Sequence, residues 1–143
     1  MDWLELLKQD RQAFDREAQG GVVDLSGADL RGLDLQGLAL QGVSLEGADL
    51  RDVNLSGAML RACDLSRGNL RGADLSDSTL DRVVLHGAQL NGACLEGALL
   101  NGVAATDADF SGVQWFGAEM TGCVLRGCTI DLDGVSLDNT LLS

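Results

Sequence analysis

Proline and tyrosine are absent from this 143-residue chain, histidine occurs once, and only five residues are aromatic. Basic residues are also scarce: ten against 22 acids, for a net charge of −12. That balance excludes the basic stripe by which proteins hold DNA or RNA directly. No apolar run approaches the ~20 residues a membrane-spanning helix needs, so no membrane contact is expected. The opening stretch MDWLELLKQDRQAFDREAQ has neither a basic leader nor an apolar core. It does not read as a signal peptide, and the expected compartment is the cytosol. The four cysteines, Cys63, Cys94, Cys123 and Cys128, form no CxxC pair. Neither a zinc site nor a disulfide framework is expected; they read as small apolar fillers. His86 has no acidic or thiol neighbour at ligand spacing and reads as a surface residue. No nucleophile–base set, phosphate-cradling loop or carboxylate pair stands out. No catalytic, metal or cofactor site is therefore expected, and the chain does not read as an enzyme.

What is present is a repeat. The chain is 45% hydrophobic with 19 glycines, which separates it from a disordered acidic tail. The stretch GADLRGLDLQ (residues 27–36) shows the unit: a Leu every five residues, with a smaller uncharged residue two positions earlier. Every fifth residue from Leu25 is Leu through Leu100, then Ala105, Phe110, Trp115, Met120, Leu125 and Ile130. A period of five fits neither a helix face nor a strand, and the frequent Gly would cost a helix roughly 1 kcal/mol each. It fits a coil whose short sides each point two side chains inward, with Gly supplying the corner. Stacked coils then pair as parallel β-bridges, and like residues pile into ladders.

The pentads ADLRG, VSLEG, ADLRD, VNLSG, CDLSR, ADLSD and AQLNG resemble the pentapeptide-repeat family, and the resemblance covers residues 23–142. It implies an all-β solenoid: a right-handed, four-sided parallel β-helix with four pentads per coil. About six coils are expected over residues 23–143, roughly 29 Å of rod at ~4.8 Å per coil. The Asp or Asn between the two inward residues faces outward beside a turn. At Asp24, Asp29, Asp34, Asp49, Asn54, Asp64, Asn69, Asp74 and Asp109 it can accept a hydrogen bond from a corner N–H, as in an Asx-turn.

Residues 1–22 form a separate unit of amphipathic helix and linker. Asp2 with Glu5 resembles a capping box, and Trp3, Leu7, Phe14 and Ala18 share one helical face. Its expected task is to cover the first coil, whose edge would otherwise offer unpaired strands. Near the other end, the unbroken frame would point Asp133 into the core. A two-residue shift, with Cys128 and Thr129 bulging at a corner, avoids this and makes Leu132, Leu137 and Leu142 central. Trp115 is then expected inward, between Leu95 and Leu137. Val84, Cys94, Leu99, Ala104, Phe116 and Val124 take outward positions despite being apolar or small.

Two functions compete. The first is an interaction or structural module that presents flat faces to another protein. The outward residues Leu99, Phe116 and Val124, with Leu137 and Leu141, are the candidate partner or homodimer patch of the C-terminal coils. The second comes from the resemblance: some family members are acidic rods that imitate duplex DNA, bind gyrase or topoisomerase IV, and protect it from quinolones or toxins. Here the solenoid has 17 acids and seven Arg, a net of −10, where a duplex of that length carries about −17. Arg31, Arg51 and Arg71 recur every twenty residues beside Asp29, Asp49 and Asn69, as in a solvated ion ladder. Residues 83–143 are cleaner, with seven acids and one Arg, so Asp107, Asp109 and Glu119 are the candidate acidic contact surface. An accessory role in secretion or as a host-directed effector rests on family analogy alone.

Overall fold

The structure is a computed structural model, which describes residues 1–142. A pair of short helices leads into a parallel β-solenoid whose rungs repeat every twenty residues. On the first face the ladder runs Asp24, Ser44, Asp64, Val84, Ala104, Val124 and Leu141. The second face stacks Asp29, Asp49, Asn69, Gln89, Asp109 and Thr129, and the third Asp34, Asn54, Asp74, Cys94 and Gln114. On the fourth face β1 (Ala39–Gln41), β2 (Met59–Arg61), β3 (Thr79–Asp81), β4 (Leu99–Asn101), β6 (Ala118–Thr121) and β8 (Val135–Asp138) make one six-stranded sheet. A further pair, β5 (Ala104–Thr106) with β7 (Val124–Arg126), extends the first face. Five turns are complete on all four sides; the sixth is short.

The five-residue period builds this shape through burial and corners. Each central residue from Leu25 to Leu125 is at most 5% exposed, and most of their small partners are buried with them. A void of about 10 Å³ among Leu7, Leu25, Leu40 and their neighbours shows how closely the ladders fill the interior. The residue two after each central position, from residue 27 to residue 127, always has positive φ, between 52° and 76°. Most are Gly, which enters that region without the Cβ clash that other residues meet. Asp52, Ala62, Arg67, Asp77, Arg82 and Asp107 hold the same conformation without being Gly.

All nine outward Asp and Asn residues named above accept the backbone N–H two positions on, at 2.9–3.3 Å. The acid beside each Leu therefore closes a corner. No strand carries Asp or Asn at this position: Ala39, Met59, Thr79, Leu99, Ala104, Glu119, Val124 and Ser136 stand there instead. Without the side-chain acceptor the chain stays extended for longer, although Val84, Gln89, Cys94 and Gln114 still sit in single bridges.

Two expectations need correction. The leading helix is two helices, α1 (Trp3–Gln9) and α2 (Arg11–Ala18). Asp10 breaks them at φ −146°: its N–H closes α1 on Leu6 O, and its carboxylate caps α2 at Ala13 N, 3.0 Å away. Asp2 caps α1 through Glu5 N, but the Glu5 carboxylate accepts from Gln9 Nε2 instead of completing a capping box. The pair still seals the first turn with Leu7 and Phe14, both buried, and Trp3 meets Phe14 edge-on with centroids 5.9 Å apart.

The frame change is also not an insertion at Cys128 and Thr129. Thr129 stays in register on Asp109, and Cys128 points inward with Sγ 3.6 Å from Ala105 O. The reset comes next: Ser136 pairs Glu119, so seven residues from Thr129 cover the path that takes ten from Asp109 to Glu119. Three residues are missing from the third side. Since losing three and gaining two give the same phase in a five-residue repeat, Leu137 and Leu142 still fall on central positions. Leu137 stacks on Met120, not on Trp115. Trp115 is inward and 2% exposed, tilted against Phe110 at 5.6 Å. The short path crosses above it at Gly134, where an added Cβ would lie 3.4 Å from Phe116 Cα.

Candidate functional site

A solenoid packed solid with its own side chains can work only through its faces and ends. The second face carries the ion ladder. Arg31 Nη2 reaches Asp29 at 2.8 Å and Arg31 Nε lies 3.8 Å from Asp49, which Arg51 Nη2 meets at 2.6 Å. Arg31 donating to Asp29 holds that carboxyl well below the ordinary carboxylate range, and Arg51 donating to Asp49 lowers that one. Further pairs join Arg67 with Glu46, and Arg61 and Arg82 with Asp81, at 3.4 and 3.6 Å for the last two. Five of the six Arg of the first half are thus paired with neighbouring acids, while among the described residues Arg71, beside Asn69, makes no ion pair, and in the open such pairs contribute at most about 1 kcal/mol each.

Asp107, Asp109 and Glu119 are not one surface. Asp109 lies on the second face and Asp107 at the corner leading to it, whereas Glu119 is in β6 on the opposite, fourth face. Asp109 accepts from Ser111 N–H, from the Ser111 hydroxyl and from Asn91 Nδ2 at 2.8 Å. These bonds, Ser111 foremost, lower its pKa. The Asp107 carboxylate lies over Gly127 one turn on, where a Cβ would sit 2.3 Å from its Oδ1.

The apolar candidates are partly gathered. Val124 and Leu141 are adjacent rungs of the first face, the one half-buried and the other 54% exposed. Leu137 is 42% and Leu142 43% exposed, although both stand on the central ladders that are sealed in every earlier turn. Ile130, Leu132 and Val135 are half-buried in the same layer. Among the described residues nothing covers this end. Phe116, 80% exposed, stands at the rim just beneath the short path. Leu99 is apart, separated from the end on its own face by Glu119 and Ser136. Val84, Cys94 and Ala104 are half-buried, shielded by the turns above and below.

The thiols of Cys63, Cys123 and Cys128 are pushed up by burial, consistent with filler roles. Sequence reading missed the first turn's lower edge, where α2 and β1 enclose a groove of about 560 Å³ lined by Asp15, Ala18, Val22, Ala39 and Gln41. The available signal was the run of Ala39 and Met59 where other faces place Asp.

A sequence model of pentapeptide repeats matches residues 28–67 and 63–102, with eight copies. No curated protein matches the chain by sequence. A pentapeptide repeat protein from the cyanobacterium Cyanothece 51142 is 30% identical with a TM-score of 0.60, over 68% of this chain and 64% of its own. The chain thus spans less than two thirds of that protein. A pentapeptide repeat protein from the Arabidopsis thaliana thylakoid lumen is 32% identical with a TM-score of 0.51, over 73% of this chain and 66% of its own. QnrB1, a plasmid-mediated fluoroquinolone resistance protein, is 20% identical with a TM-score of 0.47, over 87% of this chain and 78% of its own.

Proposed function

The chain belongs to the pentapeptide-repeat family, and from that premise we propose that it is a non-enzymatic, cytosolic interaction module whose main contact surface is the C-terminal end of the rod. The observation carrying this reading is the contrast between the ends. Leu7 and Phe14 seal the first turn, while Leu137, Leu141 and Leu142 leave the last one open at 42–54% exposure. Unpaired strand edges around an apolar layer favour another protein surface. The same end on a second copy is the simplest occupant, because a two-fold contact between equal ends closes without fibre growth. Phe116 and Val124 would contribute at the rim. Sedimentation tests it: the chain runs as a dimer at tens of micromolar and Leu137→Arg with Leu141→Arg runs as a monomer. A monomeric unmutated chain overturns the homodimer.

A second reading is imitation of duplex DNA toward a type II topoisomerase. What favours it is that Asp107 and Asp109 adjoin at one corner and, among the described residues, make no ion pair in a half with a single Arg. What weighs against it is the neutralised ladder below them and the placement of Glu119 on the far face.

A further inference from the structure

We propose that the lower edge of β1 is a docking site for an extended segment of another protein, which adds there as a further strand of the six-stranded sheet. The hydrogen-bond pattern identifies the free groups. Met59 N donates to Leu38 O and Gly42 N donates to Arg61 O, both at 2.9 Å. Leu38 and Gly42 therefore serve the turn above, and the N–H and C=O of Ala39 and Gln41 point the other way. Two turns above Ala39 the equivalent Thr79 N–H likewise donates downward, to Ala58 O at 2.9 Å. Ala39 has no turn beneath it, and among the described residues neither its backbone groups nor those of Gln41 find a partner.

The other three faces start differently. Asp24, Asp29 and Asp34 stand at their first rungs, and charge on an edge strand discourages a newcomer. Only the fourth face starts with an uncharged, small residue. Its edge also opens into a groove, the space of about 560 Å³ between β1 and α2. A strand laid there would place one side chain under Leu40, among Ala18, Val22 and Val43, where a small apolar residue fits. Val22 is 89% exposed and is the natural cover for it. The neighbouring positions face outward past Asp15, which Arg11 meets at 3.6 Å through one carboxylate oxygen and which stays 46% exposed, so its other oxygen is left to favour a Lys or Arg of the added strand. The occupant is thus a short extended segment with alternating apolar and basic residues, held mainly by main-chain hydrogen bonds. This site lies at the opposite end from the proposed dimer contact, so either can fail without the other.

The test uses the intact chain and a blocked hexapeptide of alternating valine and lysine. Its control is the same peptide with alternate backbone nitrogens methylated, which cannot extend a sheet. Saturating peptide should slow hydrogen exchange at the Ala39 and Gln41 amides at least tenfold, with the methylated peptide binding at least tenfold more weakly. Gln41→Pro removes an edge donor that the fold does not use and should weaken binding by a similar factor. Equal binding of the two peptides, or no binding at millimolar concentration, overturns the proposal. So does protection of Ala39 and Gln41 that rises with protein concentration alone, since the occupant would then be a second copy.

Discussion

Ala62 offers a sharp test of how the corners hold the coil. It sits at φ 52°, in a column that has Gly42 one turn below and Gly102 and Gly122 further up, with Arg82 between them. A left-handed conformation costs an L-residue about 1–2 kcal/mol. Replacing Ala62 by Gly removes that strain but gives the unfolded chain more freedom, worth about 0.5–1 kcal/mol. The difference predicts that Ala62→Gly stabilises by about 0.5–1 kcal/mol, or roughly 1–4 °C in Tm for a chain of this size. Gly57 supplies the mirror experiment one corner earlier. It has φ 67° and nothing within 4 Å of an added Cβ, so Gly57→Ala introduces backbone strain without a clash and should lower stability by a comparable amount. Urea and thermal melts followed by circular dichroism read both. Shifts of the same sign, or no loss for Gly57→Ala, would refute the claim that the corners and not side-chain contacts govern these positions.

Other outcomes follow from the same frame. Leu75→Asp buries a charge at a position 1% exposed and should cost several kcal/mol, unfolding the middle of the rod. Its neighbour Asp74→Ala loses the Asx bonds to Ser76 N at 3.0 Å and Ser76 Oγ at 2.6 Å and should cost about 1 kcal/mol or less. Asp24, Asp29, Asp49 and Asp109 all titrate below the ordinary 3.8 in the folded chain. The unfolded chain then binds more protons, so their contribution is full above about pH 4 and declines as pH falls further. Asp29→Asn with Asp49→Asn should flatten that acid limb in melts taken between pH 5 and pH 2. For duplex imitation, neutralising Asp107, Asp109 and Glu119 together should abolish any inhibition or protection of gyrase supercoiling. Asp107 and Asp109 should account for most of that effect, and an inert unmutated chain at micromolar dose removes this reading.

The fold was legible because its period is unlike that of any other element. Leu at every fifth position left one consistent arrangement, and the acid beside it had one local acceptor role, which all nine residues perform. Periodicity could not separate three residues lost from two gained, since both return Leu137 and Leu142 to central positions of the repeat. The break at Asp10 was hidden because Trp3, Leu7, Phe14 and Ala18 fit one continuous helix as well as two short ones. Only the cap at Ala13 N distinguishes them. Surface candidates fared worst, since adjacency on a four-sided coil runs in steps of twenty. Asp109 and Glu119 are ten apart, which is half a turn and therefore opposite sides.

The short path over Trp115 also says how such a rod can change length over evolutionary time. Three residues are gone from one side, yet Thr129 and Ser136 on either side keep their rungs on Asp109 and Glu119. A deletion is thus absorbed by rounding off a corner, while the flanking sides hold their register. The same geometry would let a projecting loop be spliced in at that place without disturbing the stack, and a terminal turn already lacking one side is where such grafts meet the least resistance.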